Sequence, residues 1–112
     1  MANDNPSQRL TKRLEFHTKL ETVPRVKGIY FQRPPTRDMK YPCLLYKGEP
    51  DVRYHADNGI YMKGTKYTLY YIHDDPDDDN VELLLTLFPY TRYDRQYIAD
   101  GLYHDVYIIF FK

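Results

Sequence analysis

The amino-acid sequence predicts an α+β domain, with an N-terminal helix, a largely antiparallel β-sheet of about five to six strands, and a second short helix packed on one face. Three observations carry that expectation. Helical spacing of apolar residues is confined to two stretches, one near the N-terminus and one after an acidic loop. Elsewhere, short aromatic and β-branched runs alternate with turn signals. The 13 Tyr and 5 Phe, with no Trp, suit half-buried strands whose rings pack while their hydroxyls reach water or a partner. Such sheet faces are expected to serve as contact surfaces. The 112 residues fit one domain, 1–112, read as a helix over 1–24 and a sheet plus helix over 25–112.

Asn5 is placed to cap the first helix with Pro6 in its first turn. Leu10, Leu14, His17 and Leu20 then share a side, which Phe16 and Val23 widen. Pro24 ends it, because the residue before a proline disfavours helical geometry. Strands are expected over Val26 to Phe31, Tyr41 to Tyr46 and Asp51 to Ala56. Pro34-Pro35 separates the first two, and Gly48 and Pro50 separate the next two. Asp57-Asn58-Gly59 signals a hairpin into Tyr61 to His73, where Tyr67, Leu69 and Tyr71 face one side and Thr68, Tyr70 and Ile72 the other. Val81, Leu84, Leu85 and Phe88 mark the second helix. Thr91 to Ile98 and Leu102 to Phe111 form the last strands, joined at Asp100-Gly101.

Sixteen Lys and Arg balance sixteen Asp and Glu, so no global field draws the chain to nucleic acid or an anionic membrane. Cys43 is alone, which excludes an internal disulfide and suggests a reducing compartment. No apolar run approaches the roughly 20 residues of a membrane helix, and Met1 to Arg13 lacks a signal-peptide core. A protein with no membrane association is expected.

The acidic loop Asp74, Asp75, Asp77, Asp78 and Asp79 imitates the start of a calcium loop. Asn80 stands in place of the required Gly, however, and Thr86 in place of the bidentate Glu, so no metal is expected. The four His lack zinc spacing, and the adjacent His104 and Asp105 point to opposite faces of a strand. The flanks of Cys43 suit a buried structural thiol. No catalytic constellation or cofactor site can be assembled, and the chain is read as a non-enzyme. From Tyr90 to Tyr97, aromatics interleave with Arg92 and Arg95, a mixture used both by protein interfaces and by single-strand nucleic-acid platforms. With Asp94, Asp100 and Asp105 close by in sequence, protein contact is favoured. The candidate interface is Arg92, Tyr93, Asp94, Arg95, Tyr97, Asp100, His104 and Asp105.

Four segments together resemble the small tail-completion or tail-terminator proteins of long-tailed bacteriophages: 40–46 (KYPCLLY), 54–59 (YHADNG), 67–76 (ending IHDDP), and 93–106 (YDRQYIADGLYHDV). The last is the most distinctive, and the match spans most of the chain after Val26. The three acids Asp77, Asp78 and Asp79 make a longer acidic loop than the pattern has. The resemblance implies a virion protein of the tail or neck, assembled in the host cytoplasm. It would form a ring, commonly a hexamer, at the head-proximal end of the tail tube, ending tube growth and joining the tail to the head connector. Its partners would be itself, the tail tube protein and a head-closure or connector protein, with DNA only in transit through the lumen. A head-closure or adaptor role in the same neck, or a single-stranded nucleic-acid-binding module, are the alternatives. The acidic loop then has two readings, an outward solvated loop or a lining of the lumen that repels phosphates.

Overall fold

The computed structural model describes residues 6–32, 39–55 and 61–111, and the side chains of 10–32, 39–48 and 64–111. The elements run α1 (Pro6–Leu20), β1 (Gly28–Phe31), β2 (Cys43–His55), β3 (Tyr61–His73), α2 (Asn80–Leu87), β4 (Thr91–Ala99) and β5 (Leu102–Phe111). The strands form a five-stranded sheet in the order β1-β2-β3-β5-β4. β1 runs parallel to β2, and all other neighbours are antiparallel. This is the α+β class read from the sequence.

Both helices cover the same face of the sheet. Phe16 and Leu20 of α1 and Leu84 of α2, with Phe88 just beyond it, pack on Leu44, Tyr46, Tyr67, Leu69, Tyr71, Tyr107 and Ile109. Tyr46, Tyr71 and Tyr107 are sealed from solvent, so much of the tyrosine complement builds the core rather than an outer contact surface. Their hydroxyls explain how a polar residue is tolerated there. The Tyr46 hydroxyl lies 2.9 Å from Nδ1 of His17 on α1. The Tyr107 hydroxyl donates to the carbonyl of Val81 on α2 at 2.8 Å. Each ring contributes apolar burial while its hydroxyl ties a helix to the sheet.

The rotation of α1 differs from the one its leucines suggest. Phe16, Leu20 and Val23 are buried, whereas Leu10 and Leu14 are 47% and 51% exposed. Leu14 lies about 200° around the helix from Phe16, so both cannot face the sheet. The aromatic wins because its ring stacks on Tyr67 at 4.0 Å and on Phe88 at 4.7 Å between centroids. Pro24 follows the helix, and Arg25 then takes a left-handed turn at φ 63°.

The strands expected over 41–46 and 51–56 are one continuous strand, β2, with a register irregularity between Glu49 and Val52. Gly48 does not break it, because it stands opposite Tyr67. A Cβ at position 48 would come within 2.8 Å of the Tyr67 ring, so the glycine makes room for a core aromatic. The irregularity accommodates Pro50, which has no N–H to give a ladder. Pro34-Pro35 and Asp57-Asn58-Gly59 lie outside the described residues, although His55 does pair with Tyr61 in the antiparallel β2/β3 ladder. The β4/β5 turn falls at Asp100-Gly101, with φ of 53° and 76°, the paired positive values of a tight hairpin turn.

Candidate interaction surface

β4 is an edge strand, and Arg92 through Ile98 are all exposed. Its inner side pairs with β5 in a register that slips by one residue between Tyr93 and Arg95. Tyr93 stands opposite Tyr107 and Arg95 opposite Val106, so Asp94 is the extra residue of a β-bulge. The bulge reverses the alternation of faces. Tyr93 and Gln96 therefore point to the helix-covered side together, and Arg92, Arg95 and Tyr97 to the opposite side.

On the covered side, Tyr93 and Gln96 converge on Asp105. The Tyr93 hydroxyl donates to Oδ1 at 2.5 Å and the Gln96 amide donates to the same oxygen at 3.0 Å. The other oxygen, Oδ2, lies 2.6 Å from Nε2 of His73. His73 and Asp105 have no exposed surface. Nδ1 of His73 has no hydrogen-bond partner among the described residues, so the ring carries its proton on Nε2, where the carboxylate accepts it. Burial, followed by the adjacent Asp105 carboxylate, pushes the Tyr93 hydroxyl up to about 12. Although His and Asp are the partners of many general-base pairs, this pair is closed to solvent and consumed by its own contacts. It fixes β3, β5 and β4 to one another.

Asp105 thus departs from its expected place on an outer contact surface. The reason is the parity of β5, which turns residue 105 toward the helices while residue 104 faces away. His104 stacks on Tyr97 at 4.7 Å, as cross-strand neighbours on the open side. Asp94 sits between two arginines, with Arg92 at 3.6 Å and Arg95 in direct hydrogen-bonded contact. Asp100 is exposed in the β4/β5 turn. The sequence could not reveal Gln96 or His73 as partners of Asp105, because a bulge and a cross-strand register bring them together.

The acidic loop between β3 and α2 is folded on itself. Oδ1 of Asp75 accepts the N–H of Asp77 at 2.9 Å. Asp78 turns inward, accepting the Tyr71 hydroxyl at 2.6 Å and the N–H of Asn80 at 2.9 Å. Asn80 in turn donates to the carbonyl of Pro24 at 2.9 Å, tying the loop to the end of α1. Asp79 occupies the N-cap position of α2 without a side-chain capping bond, so Asp78 satisfies the first turn instead. Asp74, Asp75, Asp77 and Asp79 remain exposed. Among the described residues, no three His, Cys, Asp or Glu side chains gather as a metal cluster. Nor is any described helix long and apolar enough to cross a membrane.

Cys43 is buried, and burial pushes its thiol up to about 12. A cleft of about 330 Å³ between α1 and the sheet is lined by Leu10, Arg13, Phe31 and Gln32, among others. Neither a protein-family model nor a curated protein matches the chain.

Proposed function

We propose that this protein acts by self-association, as a tail-terminator or tail-completion protein of a long-tailed bacteriophage. Copies form a ring, commonly of six, at the head-proximal end of the tail tube. The ring stops tube growth and presents a surface to the head connector without performing a reaction. The observation that carries the reading is the long exposed edge strand β4, with Tyr93, Tyr97 and Ile98 exposed beside Arg92, Asp94 and Arg95. A head-to-tail ring needs two different complementary patches on each subunit. The sheet supplies two unlike edges, β4 and the short parallel strand β1. In this reading Asp74, Asp75, Asp77 and Asp79 are free to face the lumen or the solvent, whereas Asp78 is committed to Tyr71 and Asn80.

The test is sedimentation velocity with negative-stain imaging of the purified protein, with Arg95→Glu as the variant. Rings for the parent protein and a folded monomer for the variant are the expected result. A parent protein that stays monomeric at high concentration, and does not cap polymerising tube protein, would remove the proposal. A ring that binds the connector but leaves tube growth unchanged would instead assign it to the head side of the neck.

A further inference from the structure

The helices cover one side of the sheet, and the other side carries a separable set of residues. Across its middle lie Tyr70, Val106 and Ile108, and around them stand Lys47, Lys66, Arg92 and Arg95, contributed by three different strands. Arg92 and Arg95 come to the same side only because the Asp94 bulge lies between them. Their side chains are 69% and 59% exposed. Tyr97 lies flat on His104 at 17° between ring planes, and the Arg95 guanidinium is 5.6 Å from the Tyr97 ring centre.

Three acids argue against a polyanion here when the chain is read linearly, and two of them are elsewhere. Asp105 faces the helices with no exposed surface, and Asp100 belongs to the terminal turn. Only Asp94 remains, held between the two arginines. Among the described side chains, this face carries four cations and one carboxylate in a protein of zero net charge, and the β2/β3 register pairs Lys66 with Glu49, which leaves Lys47, Arg92 and Arg95 as the principal cations.

We infer that the helix-free face of the sheet, with Lys47, Lys66, Arg92 and Arg95 spread along it and the Tyr97–His104 stack at one end, binds single-stranded DNA. Cations meet phosphates, and a base extends the ring stack, the combination by which open sheet faces hold single strands. A duplex keeps its bases inside and gains only the phosphate contacts. Asp94 competes with phosphate for both arginines, so it sets the affinity from within the site. The inference does not depend on ring formation. Arg92, Asp94, Arg95 and Tyr97 also belong to the edge proposed for assembly, so Lys47→Gln and Lys66→Gln, on β2 and β3, are the variants that separate DNA binding from ring formation.

The experiment is fluorescence anisotropy of a labelled mixed-sequence 12-nucleotide DNA strand, titrated with the full chain across a series of KCl concentrations. Duplex DNA, RNA of the same sequence and poly-glutamate serve as competitors. Arg92→Gln, Lys47→Gln and Lys66→Gln should each weaken binding, and each should lower the salt slope by about 0.7. Tyr97→Leu should weaken binding roughly fivefold to a hundredfold with an unchanged slope, as loss of stacking does. Asp94→Asn should tighten it, a result that a merely destabilised fold cannot produce. No salt-dependent binding by the folded protein would overturn the inference, as would equal competition by duplex DNA, and competition by RNA stronger than that of the DNA strand itself would give the face to RNA instead. Competition by poly-glutamate with indifference to Tyr97→Leu would also overturn it, and would give the face to an acidic polypeptide.

Discussion

Nε2 of His73 on β3 and Oδ2 of Asp105 on β5 lie 2.6 Å apart with both side chains sealed from water. This pair is the polar centre of the sheet. Removing Asp105 leaves the Nε2–H of His73 without an acceptor in a dry site, which typically costs about 1–3 kcal/mol, and takes the acceptor from Tyr93 and Gln96 as well. Asp105→Ala should therefore destabilise the fold strongly in urea unfolding. The double variant His73→Phe with Asp105→Leu should recover most of the loss, because an apolar pair of similar volume leaves nothing unpaired at the two sealed positions, and the exposed Tyr93 and Gln96 can turn their donors to water. A double variant as unstable as the single one would show that the carboxylate acts through other contacts.

The bulge at Asp94 should matter by its presence rather than by its side chain. Deleting residue 94 restores strict alternation and moves either Tyr93 or Gln96 off the Asp105 side, with an expected loss of about 2–3 kcal/mol. Asp94→Ala keeps the residue count and should change stability by no more than about 0.5 kcal/mol, as an exposed ion pair does. Thermal unfolding of the two variants side by side measures the difference.

Phe16→Ala should cost about 3–5 kcal/mol, since it empties the space between Tyr67 and Phe88. Leu14→Ala should stay within about 0.5 kcal/mol, because the side chain is half exposed. Equal effects at the two positions would contradict the observed rotation of α1.

Alkali should unfold the protein through groups that resist deprotonation only when folded. Burial raises Tyr67 and Tyr93 to about 12 from 10.0, and Cys43 to about 12 from 9.0. Above pH 9 to 10 the unfolded chain has released protons that the native chain retains, so stability must fall with rising pH. The loss begins near pH 9 and continues toward 12. Tyrosinate absorbance should rise together with loss of secondary structure, and the Cys43 thiol should react with Ellman's reagent only as the fold opens. Prompt thiol reaction at neutral pH in the native protein would count against the burial of Cys43.

The elements legible in the sequence were those written in local patterns. The Asp100-Gly101 turn, α2 and the alternating faces of β3 follow from spacing and turn chemistry alone. What escaped depended on distant partners. Gly48 reads locally as a strand breaker, and only the Tyr67 ring opposite explains it. Leu10 and Leu14 satisfy a helical stripe as well as Phe16 and Leu20 do, and the aromatic stack chooses between them. The surface was half legible for the same reason. The Arg and Tyr residues of β4 stand out in sequence, but the side that each takes is set by the one-residue slip against β5. Hence Asp105, expected outside, is the acceptor at the centre.

A protein with as many acids as bases has no net attraction to charged media at neutral pH, yet chromatography senses the distribution of charge rather than its sum. With Lys47, Lys66, Arg92 and Arg95 gathered on the helix-free side, the molecule can lay that side on a sulfonate or phosphate resin while its acidic loop turns away into the buffer. Retention near its isoelectric point, released by modest salt, is the practical signature of a surface whose halves disagree.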